Sequence, residues 1–316
     1  MEKKRMDSNA LEMKKAHRRR MIKENLQLYL IMLPVLILIF LFCYKPLYGV
    51  LIAFENYLPG SNIIGEGVKW VGLKHFKKFI ASYYFARIVK NTLVLSGLVL
   101  AFGFWVPIVF ALLLNELRSQ GLRKVIQTIS YLPHFISSVV IAGMVLSFTA
   151  ESGLITELLN MLGMNISSLN TNKEAFPWVY TITKVWQTFG WSSILYLSTI
   201  SSIDPGLYEA AEIDGATRWK RIRYITLPEL KPIIMIQLIF AIGGIMGSDS
   251  DLILLLYNPS IYETADVVGT YVYREGLQGA QFSYGSAVGL FMTGLNFMLV
   301  FVANKISDKV AGFSIW

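Results

Sequence analysis

The sequence predicts an all-α integral membrane protein with six transmembrane helices, both termini on the cytoplasmic side. Three observations predict it. Of 316 residues, 54% are apolar and only 16% charged, against roughly 25% charged in an ordinary soluble domain, and the mean hydropathy is +0.50. The apolar residues fall in long uncharged runs rather than at the spacing of a soluble core. The basic residues lie between those runs with a clear bias of side.

A bilayer core takes about 20 mostly apolar residues in a helix. Residues 26–44 supply the first run without a charge, 91–115 the second and 125–150 the third. Residues 175–203 are interrupted only by Lys184, and 232–248 and 276–304 complete the set. With the N-terminus inside, the inner segments hold nineteen Lys and Arg and the outer ones nine, which satisfies the positive-inside bias. Seven of those nine lie in 45–90, a segment long enough to cross with little regard for charge. The +8 net charge is thereby explained without nucleic acid. The basic tail 1–25 reads as a cytoplasmic anchor facing anionic headgroups. The apolar run after it exceeds the roughly 7–15 residues of a secretory h-region. One cysteine, Cys43, excludes a disulfide framework and any paired-cysteine metal site.

Within 45–90, Phe76, Phe79, Ile80, Tyr83 and Tyr84 recur at helical spacing with Lys74, Lys77 and Lys78 largely off that face. This predicts an amphipathic helix along the outer interface.

Residues 204–231 break the apolar pattern with ten charged side chains. At roughly 2.5–3.5 kcal/mol each in a bilayer centre, they must face water or another protein. Asp204 is placed to cap a helix with Pro205 at its first position. Gly215 suits the left-handed residue that ends it, and Thr217 suits the cap of a second helix stopped by Pro228. The segment is predicted as a cytoplasmic knob of two short helices. A loop serving only to connect spans needs about 2–8 residues, so this much ordered helix suggests a docking surface.

The text EAAEIDGATRWKRIRYITLP resembles the EAA motif of permease subunits of binding-protein-dependent ABC transporters, with Glu209, Ala210, Ala211, Gly215, Ile225, Leu227 and Pro228 in register. Further stretches resemble the carbohydrate-uptake branch of that family, closest to permeases for polysaccharide fragments and lipid-linked or uronate-containing oligosaccharides. They include YKPLYGVLIAFENY, ALLLNELR, QTISYLPHFISSVV and LYNPSIYETADVVGTYVYREGLQ. The similarity runs over 26–316, which is the expected permease domain. It implies an importer subunit paired with a second, similar permease. Two cytoplasmic ATPase subunits would grip the EAA loop at 204–231, and an external solute-binding protein would deliver an oligosaccharide. Glu209, Ala210, Ala211, Asp214, Gly215, Ile225, Leu227 and Pro228 are the ATPase-coupling residues so implied. Small side chains let backbones approach, and a charged pair fixes register.

The chain has no Gly-Lys dipeptide, so it lacks the phosphate-cradling loop GxxxxGK[ST]. ATP and magnesium are expected on the partner subunits, and no cofactor or metal on this chain. For the cargo path, Tyr180, Lys184, Gln187 and Trp191 share one helical face, with Trp186 and Tyr196 beside it. In the third run Gln127, Tyr131, His134 and Ser138 have the same spacing. Ionisable groups inside spans point to function, which singles out His134 and Lys184, the latter suited to a carboxylate-bearing cargo. Snorkelling of Lys184 and aromatic belts or packing are the bland alternatives. Asp249 and Asp251 either line the outer mouth or end the fifth span, and Asn296 reads as a helix–helix hydrogen bond. Two other functions compete. An ion-coupled secondary transporter would more often show inverted repeats and broken helices. A membrane enzyme would build on Gly190-Trp191-Ser192-Ser193 with His134 as base, but small residues in spans are usually packing devices.

Overall fold

The structure is a computed structural model that describes residues 25–245 and 250–312, with isolated positions before 25. Asp249 lies outside the described residues. Two compact units divide the chain, one drawn from Met1–Ile52 and Pro59–Val68, the other from Ala53–Leu58 and Lys69–Trp316. Among the described residues the secondary structure is helical, with one isolated antiparallel bridge, Glu55 to Trp70.

In the first unit, α1 (Leu26–Ile39) passes into a π-turn (Phe40–Tyr44) and a 3-10 stretch (Lys45–Phe54) whose last two residues belong to the second unit. Helix is continuous over Leu28–Phe54, long and apolar enough to span a bilayer. Apolar residues occupy every side of α1, the pattern of a helix solvated by lipid or protein rather than water.

The second unit carries the rest. Its first helix, α2 (Lys74–Ile80), is shorter than the spacing predicted, ending at Ala81. Tyr83 and Tyr84 therefore leave the stripe, and Tyr83 is 89% exposed. Phe79 does not lie in an interfacial belt: it is fully buried in a cluster with Ile88, Val268, Tyr271, Tyr284, Val288 and Met292. Sequence spacing gave the helical face but not the partner that face would find.

Next, α3 (Phe85–Asn115) is a 31-residue helix kept continuous through Pro107. Arg123 closes its far end, donating to the carbonyls of Leu114 and Asn115 at 3.0 and 2.8 Å and so satisfying acceptors that a helix terminus leaves open. The third run departs from expectation. It is α4 (Gln120–Tyr131), a 3-10 turn (Leu132–Phe135) and α5 (Ser138–Phe148), the two arms bent by 99°. Pro133 lacks a backbone N–H, and Ile136 and Ser137 are extended, with the Ser137 hydroxyl accepting from Val140 N–H at 3.4 Å as a fresh N-cap. His134 and Ser138 thus lie on either side of a break, not along one helical face.

A short α6 (Leu154–Met161) leads to α7 (Phe176–Ser201), whose 26 residues match the fourth predicted run. Close packing of α4 on α7 depends on Gly190. A Cβ there would stand 2.1 Å from the backbone oxygen of Ser130. Then come α8 (Pro205–Ile213) and α9 (Arg218–Arg221), a π-turn (Ile222–Thr226) and α10 (Leu227–Gly243). Pro228 does not stop this helix. Helix runs from Arg218 to Gly243 because the π-turn re-registers the hydrogen bonds and leaves Pro228 at the start of a new α segment, where a missing N–H is tolerated.

After α11 (Ser250–Leu256), the chain makes two single turns, α12 (Tyr262–Ala265) and α13 (Val268–Tyr271), then a π-turn (Val272–Gln278). The sixth run therefore begins as a separate turn, broken at Ala280 with φ 51°, before α14 (Phe282–Ala311). Gly276 and Gly285 sit so close across that break that a Cβ on Gly285 would lie 2.8 Å from the Gly276 Cα. Asn296 on α14 donates to the carbonyl of Gly243 on α10, the helix–helix bond expected of it.

Among the described residues, four helices are long and apolar enough to cross a membrane, five if the bent pair is one span. At 26 residues α7 has the length, but it carries more polar side chains.

Candidate functional site

The knob between α7 and α10 folds for local reasons. The Asp204 side chain accepts from Gly206 N–H at 2.9 Å, and Pro205 opens α8. Gly215 ends it with φ 73°. Gly215 N–H donates to Glu212 O at 3.1 Å and Ala216 N–H to Ala211 O at 2.8 Å, the paired bonds of a glycine C-cap. Thr217 holds the N-cap position of α9 but its side chain caps nothing. Two ion pairs brace the knob: Arg221 to Glu212 at 3.2 Å and Arg218 to Glu116 at 3.8 Å.

Among the coupling residues, Glu209, Ala210, Asp214 and Gly215 are exposed, and Ala211 and Ile225 are half-buried. Leu227 and Pro228 form the exposed start of α10. Apolar side chains beside them are exposed as well, Ile213 at 87% and Trp219 at 78%. Exposed apolar side chains interleaved with charge are the kind of surface a protein partner can cover.

Between α3, α7 and α10 lies a cavity of about 300 Å³, at the lower end of the ~300–1,000 Å³ typical of small-molecule sites. From α7 it receives Tyr180, Lys184, Thr188, Ser192 and Tyr196, spaced four residues apart in a stripe that winds slowly round the helix. Gln237 from α10 and Ser96 from α3 add polar groups. Lys184 is the one charged side chain among the described lining residues. Ser96 is buried, and its hydroxyl oxygen has no hydrogen-bond partner among the described residues. Native interiors rarely leave such a group unsatisfied without a reason.

The structure divides the residues that sequence spacing had grouped. Tyr180 and Lys184 face the cavity together. Gln187 is buried with its Oε1 unpaired among the described residues. Trp186 belongs to a separate apolar groove with Phe102, Trp178, Ile182 and Phe189. Trp191 turns to the α4–α5 break, where its ring stacks on His134 at 4.6 Å and 5°. Tyr131 is half-buried on α4 beside the Ser193 hydroxyl. Ser193 itself donates to Gly190 O at 2.6 Å, a packing role with no nucleophile–base pairing. Asp251 is exposed on the first turn of α11.

A buried ionic cluster escaped the sequence reading. Asp266 is fully buried and accepts from Arg274 at 2.9 and 3.1 Å, Arg87 at 3.2 Å, Tyr257 at 3.1 Å and Thr270 at 2.9 Å. Arg274 also bonds the Tyr257 hydroxyl. Although burial opposes its charge, the Asp266 carboxylate holds the Arg274 guanidinium firmly protonated. Asn91 donates to the carbonyls of Glu263 and Asp266 at 2.9 and 3.0 Å. Together these bonds pin the segment 257–278 to the first turns of α3. Arg87 lies 179 residues from Asp266 in sequence, and no spacing rule joins them.

These features, a bundle of apolar helices, an EAA knob and a polar cavity among spans, are those of a transport permease. Residues 103–311 match the family described as binding-protein-dependent transport system inner membrane component, and the chain belongs to it. It is 42% identical over 307 residues to the polygalacturonan/rhamnogalacturonan transport system permease protein YteP of Bacillus subtilis, covering 95% of this chain and 94% of that one. It is 37% identical to Protein LplB of the same organism over 91% of this chain and 90% of that one. Among solved structures it is similar to a chain of a bacterial ABC transporter involved in the import of the acidic polysaccharide alginate. The TM-score is 0.84 at 42% identity, covering 93% of this chain and 99% of that one. A second structure, similar at TM-score 0.84 and 41% identity over 94% and 99%, holds the alginate transporter with an alginate pentasaccharide-bound periplasmic protein. The chain is a multi-pass inner-membrane permease of an ABC importer and not an enzyme; ATP is hydrolysed by a separate subunit.

Proposed function

We propose that this permease carries an acidic oligosaccharide, released by an external solute-binding protein, through a path that includes the cavity around Lys184. The observation that carries the reading is Lys184, the one cation among the described lining residues, set among aromatic and hydroxyl side chains. Tyr180 and Tyr196 supply ring faces for pyranose stacking, and Ser96, Thr188, Ser192 and Gln237 supply hydrogen-bonding groups for hydroxyls. The names of the relatives, for polygalacturonan and alginate, support a uronate-bearing cargo. Tyr131, His134, Gln187 and the Trp191 ring extend the path along α4 and α7. Trp186 and Asp251 belong to its flanks, and Asp249 is kept as a path residue on its sequence position alone.

The chain acts as 26–316, a six-span permease domain with both termini cytoplasmic, the basic tail 1–25 before it, and partners of a second permease and two ATPases. Six spans are supported by α7, whose polar side chains face a cavity rather than lipid, so its lower apolarity does not argue against crossing. The EAA loop at 204–231 offers Glu209, Ala210, Ala211, Asp214 and Gly215 to the ATPases, with Ile225, Leu227 and Pro228 behind them. Rocking of the knob by ATP-driven closure then alternates access to the cavity.

Reconstitution with both permeases, the ATPases and the binding protein tests this. Glu209→Lys is expected to abolish cargo-stimulated ATP hydrolysis and uptake of labelled trigalacturonate while insertion and permease pairing persist. Wild-type uptake by that variant refutes the docking role.

A further inference from the structure

The knob must move something when it is driven, and the polar links between it and the spans differ in burial. Arg221–Glu212 joins α8 to the helix that continues into α10, its glutamate side chain 74% exposed. Arg218–Glu116 reaches the end of α3 at 3.8 Å, half in water, and exposed pairs contribute little. The third link is buried at one end. Tyr208 on α8 is half-buried between the exposed Leu207 and Glu209, and its hydroxyl lies 2.9 Å from that of Thr226, 18 residues on. Thr226 is 2% exposed.

Thr226 occupies a special place in the backbone. It is the last residue of the π-turn Ile222–Thr226, after which Leu227 N–H donates to Ile222 O. Single π-turns inside helices concentrate at functional positions because their extra residue lets the register adjust locally. From Leu227, α10 runs to Gly243 with Pro232 inside it, contributing Gln237 and Ala241 to the cavity. This hydroxyl pair therefore joins the helix that bears Glu209 to the π-turn at the head of the segment that lines the cavity, whereas the Arg221–Glu212 pair meets the same helix just before that turn.

We infer that the Tyr208–Thr226 hydrogen bond is the transmission joint of this permease. Both are positioning residues: they convert displacement of α8 into rotation of α10 and touch neither nucleotide nor cargo. The inference rests on the reading that an ATPase drives α8. With the bond intact, α8 and the start of α10 move together. Without it, the knob follows the ATPase while the π-turn absorbs the motion.

The test uses the whole complex in proteoliposomes, with trigalacturonate-loaded binding protein, and measures cargo uptake and ATP hydrolysis separately. Tyr208→Phe and Thr226→Val each remove a hydroxyl while nearly conserving volume. Each is expected to lower cargo carried per ATP by about threefold to tenfold, the scale of one net hydrogen bond, with assembly retained and hydrolysis within about twofold. The double variant is expected to be no worse than either single one, because both delete the same interaction. Thr226→Ser, which keeps the hydroxyl, is expected to behave as wild type. An unchanged cargo-to-ATP ratio in either hydroxyl deletion overturns the proposal, as do effects that multiply in the double variant. Loss of assembly in both deletions also overturns it, since the bond would then maintain the knob rather than transmit its motion. The underlying docking reading fails separately, through a Glu209→Lys complex that hydrolyses ATP on cargo delivery as wild type does.

Discussion

Replacing Lys184 by glutamine tests the assignment of the cavity most directly. The substitution keeps a polar side chain of nearly the same length and removes the one charge among the described lining residues. A lysine–carboxylate pair about 4 Å apart is worth about 4 kcal/mol at an effective dielectric of 20, a ceiling for a site already lined with hydroxyls. Net hydrogen bonds to charged groups are nearer 1.5–3 kcal/mol. Lys184 is half-buried and so only partly shielded from water, which keeps the expected loss within that lower range. At about 1.4 kcal/mol per tenfold, uptake of trigalacturonate at limiting concentration should fall by roughly tenfold to a hundredfold. Uptake of the methyl-esterified trisaccharide, which lacks the charge, should change by less than about threefold. The assay is paired transport of the two cargoes by wild-type and Lys184→Gln complexes. An unaltered preference between them refutes the idea that Lys184 reads a carboxylate. Equal losses for both indicate that the residue shapes the helix rather than selects cargo, and refute it equally.

The remaining predictions concern packing and the second aromatic surface. Asp266→Asn leaves Arg87 and Arg274 without the carboxylate they share; breaking a buried pair on one side typically costs about 3–5 kcal/mol. Thermal unfolding of the purified permease should shift down by several degrees, and a wild-type midpoint contradicts the bracing role of the cluster. Gly190→Ala puts a Cβ 2.1 Å from the Ser130 carbonyl oxygen, and backbone cannot swing aside as a side-chain tip can. A loss of at least about 1–3 kcal/mol from overpacking is expected, read as reduced melting temperature and uptake together. Trp191→Ala removes the ring stacked on His134, an aromatic pair worth about 0.5–1.5 kcal/mol beyond its buried area. It should impair uptake while ATPase assembly survives, and an unchanged transport rate takes Trp191 out of the path.

Helical class, the positions of the long apolar runs and the knob were all legible in the sequence, because each follows from local chemistry. Uncharged runs of bilayer length, Asp204 with Pro205 at a helix start and Gly215 at its end need no distant partner to be recognised. The EAA spacing added the family. Lys184 also stood out, as a charge within an apolar run. Of its proposed companions, Tyr180 shares its cavity, whereas Trp191 turns to His134 and Trp186 to an apolar groove. Steps of four, seven and eleven all stay within about 40° of one helical direction, drifting slightly to one side of it or the other. Which side of that drift meets a neighbouring helix is a property of the bundle.

What the sequence determined by itself, then, was which segments are apolar enough for a bilayer and which one carries too much charge to suit it, since transfer free energies and helix caps act on contiguous residues. Only the tertiary structure decided that the third run breaks at Ile136 and Ser137 and that Asp266 gathers two arginines from distant elements. It also placed Ser96, Lys184 and Gln237 around one space and set Tyr208 against Thr226. Each of these depends on side chains from separate helices meeting within hydrogen-bond range. Meetings of that kind are fixed by close packing, at contacts such as Gly190 on Ser130, rather than by any period along the chain.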